Sequence, residues 1–308
     1  GGATSLAAGP VPGIPAADLH RLYRLLLSSG LDIARMNTVR KRFSRWGAGR
    51  LAAALHPADV RVFVVSDVIG DDLAAIGSGP CAADPATAFE VRQLLQEANL
   101  WGRLPRSIED HLRRAEADPS RETPKAGDPA LDRVTHEIVA GNRLAVEAAA
   151  REAEAMGFTV QVLGEPLTGE AAWAGRRLAT ALLQADGPEP RCLIAGGETV
   201  VKIDPATAGS GGRCQELALA AARELAAANA EGCALLAAGT DGRDGPTDAA
   251  GAIVDRGTWS RIVQAGRDPA RDLAGHDSHP ALDAAGALLK TGLTGTNVMD
   301  LVIGLAGL

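Results

Sequence analysis

The sequence predicts an α/β fold in two domains. Short apolar runs of strand length alternate with longer stretches rich in Ala, Leu and Glu, the rhythm of layered strands and helices. Aromatic residues make up only 3 % of the 308 positions. The core must therefore be Ala, Leu, Val and Ile, which suits helices packed closely on a sheet.

In chain order, the strand candidates are Val60–Val65, Phe158–Leu163, Arg191–Ala195, Cys233–Ala238 and Val298–Ile303. Runs this apolar are expected to be buried on both faces. Leu131–Met156, Glu170–Gln184, Gln215–Ala228 and the shorter Ala281–Leu289 read as helices. Trp101 to Pro129 is polar, charged and proline-bearing, and reads as a surface excursion or interdomain connection with room for a short helix. The domain boundary is set there, giving residues 1–129 and 130–308.

The formal net charge is −7, which argues against a nucleic-acid partner. No apolar run reaches the length of a membrane span. Cys81, Cys192, Cys214 and Cys233 form no C-x-x-C pair, so a reducing, cytoplasmic compartment is expected. The opening GGATSLAAGPVPG lacks the basic region and apolar core of a signal peptide. It reads like the middle of a Gly-rich loop, so the chain is expected to be the later part of a longer protein. The oligomeric state stays open, a homodimer included.

Chemistry concentrates in five loops. The richest is Gly239–Gly251, with four glycines and Asp241, Asp244 and Asp248 directly after CALLAA. Carboxylates this close repel one another, and Gly/Asp loops after strands are where α/β proteins hold phosphates and metal ions; the bland alternative is a surface turn. Ser66-Asp67 ends the first strand candidate, followed by Gly70-Asp71-Asp72 and Gly77-Ser78-Gly79-Pro80. These carboxylates could hold Mg²⁺, or one could take a proton from a substrate hydroxyl; Asp71 or Asp72 could instead cap a helix.

Gly196-Gly197-Glu198-Thr199 is either a close backbone approach or a tight turn into VVKI. Gly209–Arg213 opens a helix, so its free N–H groups, the positive dipole and Arg213 invite an anion; Glu216, one turn on, is the rival partner for Arg213. Thr291–Asn297, with Thr294, Gly295 and Thr296, supplies hydroxyls and bare amides, or is a capped turn. His276 and His279 are weak metal candidates and read as structural. There is no P-loop, no dinucleotide fingerprint and no G-x-S-x-G elbow.

VSDVIGDDLAAIGSGP (Val65–Pro80), GSGGRCQELAL (Gly209–Leu219), AAGTDGRDGPTDAAGA (Ala237–Ala252), TGLTGTNVMDL (Thr291–Leu301) and the NTVRKRFS…GRLA segment (Asn37–Ala52) together resemble the class II glycerate kinases with a MOFRL-type domain, often labelled hydroxypyruvate reductases. The resemblance covers nearly the whole chain. It implies a Rossmann-like first domain, truncated here, and a MOFRL-type α/β second domain. It also implies phosphorylation of D-glycerate to 2-phosphoglycerate with ATP and Mg²⁺.

On this resemblance Asp67 and Arg213 are the catalytic pair. Ser66, Ser78, Gly79, Gly196, Gly197, Glu198, Gly211, Gly212, Gly239, Thr240, Asp241, Gly242, Asp244, Thr294, Gly295, Thr296 and Asn297 would line the cleft. Asp67, Asp71 and Asp241 would hold Mg²⁺. Several positions depart from the family pattern. Arg45–Gly49 lacks its lysine, Cys214 stands for Asn, Leu293 for Pro and Cys81 for Thr. Gly1–Leu6 resembles the end of a family loop whose preceding lysine-bearing segment is absent from this sequence. The rivals are an NAD(P)H-dependent hydroxypyruvate reductase and a non-catalytic relative.

Overall fold

A computed structural model describes residues 4, 7, 9–184, 189–203 and 209–308; most of the opening Gly1–Leu6 segment lies outside them. The chain separates into two compact units, Gly1–Val64 with Gly70–Val139, and Val65–Ile69 with Ala140–Leu308.

The first unit carries α1 (Ala16–Leu27), α2 (Ile33–Arg42), α3 (Arg50–Leu55), α4 (Ala88–Glu97) and α5 (Arg106–Ala117). Strands β1 (Val60–Val65) and β2 (Val134–Ala140) form a two-stranded sheet whose last residues pass into the second unit. Val60 N donates to Arg133 O and Ser66 N to Ala140 O, so the two strands run in the same direction. α4 starts at a capping box, Thr87 with Glu90. α5 lies inside the polar stretch, burying Ile108, Leu112 and Ala115 on one face. These join Leu22, Leu26, Phe43 and Leu95 in one core. Behind it, fully buried Arg42 pairs with Asp84 and Glu122, and Lys41 with Asp84 at 2.9 Å.

The second unit adds α6 (Asn142–Ala155), β3 (Thr159–Val162), α7 (Ala171–Leu183), β4 (Arg191–Gly197), α8 (Arg213–Ala227), β5 (Ala234–Gly239) and β6 (Gly251–Asp255). It closes with α9 (Thr258–Gln264), α10 (Pro269–Ala274), α11 (Ser278–Ala284), β7 (Leu288–Leu289) and β8 (Asp300–Ala306). The sheet order is β3-β4-β8-β5-β6-β7. β8 lies between β4 and β5, antiparallel to both, and only β3–β4 is parallel. α8 is buried from Cys214 to Ala222, against α7, β5 and β6. Its alanines allow that. In α7, a Cβ at Gly175 would sit 2.1 Å from Leu217 O, so only glycine permits this helix–helix approach.

Two expectations are corrected. Leu131–Met156 is not one helix: Val134, His136, Ile138 and Ala140 alternate with exposed Thr135, Glu137 and Val139 as β2 before α6 begins. Ala281–Leu289 is a short helix, a Gly286 turn and β7. The compact units divide at Val139, where pairing with β1 keeps most of β2 in the first unit.

Candidate functional site

Four of the five loops meet at one end of the second unit's sheet. Asp300, the first residue of β8, is in register with Gly197 at the end of β4 on one side and with Gly239 at the end of β5 on the other. Its carboxylate takes a forked grip on Arg213, the first residue of α8: Nε donates to Oδ2 at 2.6 Å and Nη2 to Oδ1 at 3.0 Å. Nη1 of Arg213 meets Glu198 at 2.9 Å. The anionic partners of Arg213 are thus Asp300 and Glu198. Glu216, the rival named from the sequence, is instead bonded to His276 Nδ1 at 2.8 Å.

The Asp300 bond and charge hold the Arg213 guanidinium well above its usual range, so it stays cationic. Burial pushes the Asp300 carboxyl up, with Arg213 opposing.

The glycine loop before α8 differs from the expected open anion cradle. Cys214 N and Gln215 N donate to the Asp244 carboxylate at 3.1 and 2.8 Å, and Gln215 Nε2 adds a third bond at 3.0 Å. The helix dipole is therefore met by an internal carboxylate. Gly212 is required by this contact, since a Cβ there would come within 2.3 Å of the Asp244 side chain. Beside Gly211, the Ser278 hydroxyl is buried with no hydrogen-bond partner among the described residues, as is that of Thr199 next to Glu198.

The Gly239 loop and the Thr291 loop are tied together. Thr240 Oγ1 donates to Met299 O at 2.7 Å and accepts from Val298 N at 2.8 Å. Thr294 Oγ1 donates to Thr240 O, and Thr294 N to Asp241 O. Asn297 Oδ1 accepts from Met299 N. A Cβ at Gly242 would collide with Gly292 O. Asp241, half-buried, accepts from Arg243 N. Gly295 and Thr296 stay exposed in the turn.

Gly196 and Gly197 are the close approach rather than a hairpin turn. Asn142 Oδ1 and Leu167 O occupy the spaces their side chains would fill. Asn142 Nδ2 donates to Val298 O at 2.8 Å and to Asp300 O at 2.9 Å. Ser66 is buried, and its N–H bonds Ala140 O, two residues before Asn142. Asp67 follows it, half-buried and within the second unit.

Asp71, Ser78 and Gly79 belong to the first unit. Ser78 O and Gly79 O accept from Ala48 N and Gly49 N, and Asp72 caps a turn by accepting from Ala74 N. Among the described residues no group of three or more His, Cys, Asp or Glu is placed to hold a metal ion. Mg²⁺ needs only one or two carboxylates when phosphates complete its shell. His279 is paired with Asp248 at 3.0 Å, in keeping with a structural role.

Asp300, Asn142 and Gln215 are the residues the sequence reading missed. Asp300 had a signal, an acid heading an apolar strand; Asn142 had none.

A family model described as a domain of unknown function, DUF4147, matches residues 1–113, and the MOFRL family matches residues 191–300. The D-glycerate 2-kinase of Thermotoga maritima is 40 % identical over 310 residues, 99 % of this chain and 70 % of that protein. The glycerate 2-kinase of Pyrococcus horikoshii is 39 % identical over 308 residues, 98 % of this chain and 68 % of that one. The crystal structure of Thermotoga maritima glycerate kinase superposes with a TM-score of 0.89 at 39 % identity, over 99 % of this chain and 71 % of that chain. Among the described residues no helix is long and apolar enough to cross a membrane. With both domain types in order and this identity across nearly its whole length, the chain belongs to the glycerate kinase family.

Proposed function

We propose that this chain transfers the terminal phosphoryl group of ATP to D-glycerate, giving 2-phosphoglycerate. Phosphoryl transfer asks mainly for alignment and charge neutralisation. The observation that carries the reading is the meeting of four Gly/Asp/Thr loops around a permanently charged Arg213. Arg213 holds the glycerate carboxylate or the moving phosphoryl group. The single Glu198 contact on Nη1 is the one an incoming anion would displace.

Asp67 orients the glycerate hydroxyl and takes its proton. Its neighbour Ser66 bonds Ala140, two residues before Asn142, which supports a position near Asp300 and Arg213. The Ser278 and Thr199 hydroxyls, which have no hydrogen-bond partner among the described residues, are donors suited to phosphate or ribose oxygens. Asp67 and Asp241 would hold Mg²⁺, which supplies positive charge against the phosphates.

The first unit is read as part of a Rossmann-like layer. Two strands running in the same direction with helices between them support this. Four free cysteines fit a cytoplasmic setting.

The test is ADP formation from ATP and D-glycerate, run beside NADH oxidation with hydroxypyruvate, with the product identified by phosphorus NMR. Kinase turnover is expected, and reductase turnover in its place would reverse the assignment. Asp67→Asn should keep the native circular dichroism spectrum and lose about 100-fold or more in kcat, the scale of a missing general base.

A further inference from the structure

We infer that Asn142 and Asp300 are positioning residues for Arg213, together fixing the plane in which its guanidinium meets an anionic substrate group. This rests on the kinase reading for what Arg213 holds, but the geometry stands by itself. An arginine is flexible until a carboxylate grips two of its N–H groups in one plane. Asp300 does this through Nε and Nη2. Its side chain is 5 % exposed, against 42 % for Glu198. The Asp300 contact is the fixed one and the Glu198 contact the exchangeable one.

Asp300 is itself held. Met299, just before it, has φ +68°, a left-handed conformation that a residue with a side chain adopts only when its surroundings impose it. The imposing bonds are visible. Asn142 Nδ2 clamps the carbonyls of Val298 and Asp300, on either side of Met299. Thr240 holds Met299 O and Val298 N from the other side. This kink turns the Asp300 carboxylate toward Arg213 as β8 begins. Room for the clamp comes from Gly196, where a Cβ would lie 2.1 Å from Asn142 Oδ1. Gly197 and Gly239, flanking Asp300 in the sheet, crowd it with no side chains.

Two readouts test the inference. The first is kcat and KM of Asn142→Ala and Asp300→Asn, alone and combined with Arg213→Lys. Each single change should lower kcat/KM by about ten-fold or more, as misplacement of an aligned group does. Neither should add its full loss to that of Arg213→Lys, because all three act through one guanidinium. The second readout is the Arg213 Nε–H resonance by nitrogen-15 NMR, which needs no turnover. It should be sharp and slow to exchange in the parent chain, and broadened or lost in both variants while other amides keep their positions. Additive losses, unchanged kcat/KM, or an Arg213 signal untouched in the variants would overturn the inference. A parent chain without kinase turnover would sink the proposed function alone, leaving the NMR arm to decide the positioning. Asp300→Asn keeps the side-chain shape and carries the test if Asn142→Ala does not fold.

Discussion

Asp244 is a buried carboxylate with neutral amide donors as its bonding partners. Three N–H bonds from the start of α8 stand in for a cation, and burial pushes its carboxyl up. Asp244→Asn turns an NH₂ group toward donors and weakens the cap. It should cost about 1–2 kcal/mol, the usual worth of an N-cap, read as a lower urea midpoint with unchanged slope. At this scale the sequence showed Arg213 and the glycines plainly, because glycine before a helix has few other uses. It did not show what they contact. Asp300 lies 87 positions from Arg213, and that pairing exists only once β8 inserts beside β4. Gly211 and Gly212 read as space for a ligand, whereas Gly212 is space for Asp244.

Gly175 shows how an element's own preference is overruled by its neighbour. In an isolated helix, Gly→Ala would stabilise by about 1 kcal/mol. Here the new methyl would sit 2.1 Å from Leu217 O, on the backbone of α8. Backbone cannot swing aside, so Gly175→Ala should be net destabilising, by about 1–3 kcal/mol as for other overpacked cores; a raised melting temperature would contradict this. Elements with strong periodicity were legible: β1, β3, β4, β5, α7 and α8 fall within a few residues of their sequence-based limits. β2 was hidden because its alternation is weak beside the Ala/Glu-rich helix that follows. β6 was hidden because GAIVD looks like the tail of a loop, and it reads as a strand only against β5. Strand direction was not legible either, since an apolar run says nothing about which way its neighbour points.

Each unit of the molecule has its own core and its own electrostatic character. In the first, burial raises the Glu122 carboxyl, but amide bonds from Ala88 and Thr123 and the charges of Arg42 and Lys125 outweigh it and hold it down to about 2, from 4.5. A depressed carboxyl stabilises above its unfolded value and loses that effect as pH falls through the folded one. The urea midpoints of the parent and Glu122→Gln should therefore differ most near neutral pH and converge as the pH falls from about 4.5 to about 2; a constant gap would show that the charge is not the cause. A hydrogen-bonded strand rather than a polar stretch sets the limit between the compact units. The sheet of the second unit has a consequence for biosynthesis. β8 is its last strand to leave the ribosome, yet it belongs in the middle. Until it arrives, β4 and β5 each present an open edge, the kind of surface that recruits other nascent chains. A stall before Asp300 would release two half-sheets in need of a chaperone, and the forked carboxylate grip would form only once β8 has been made.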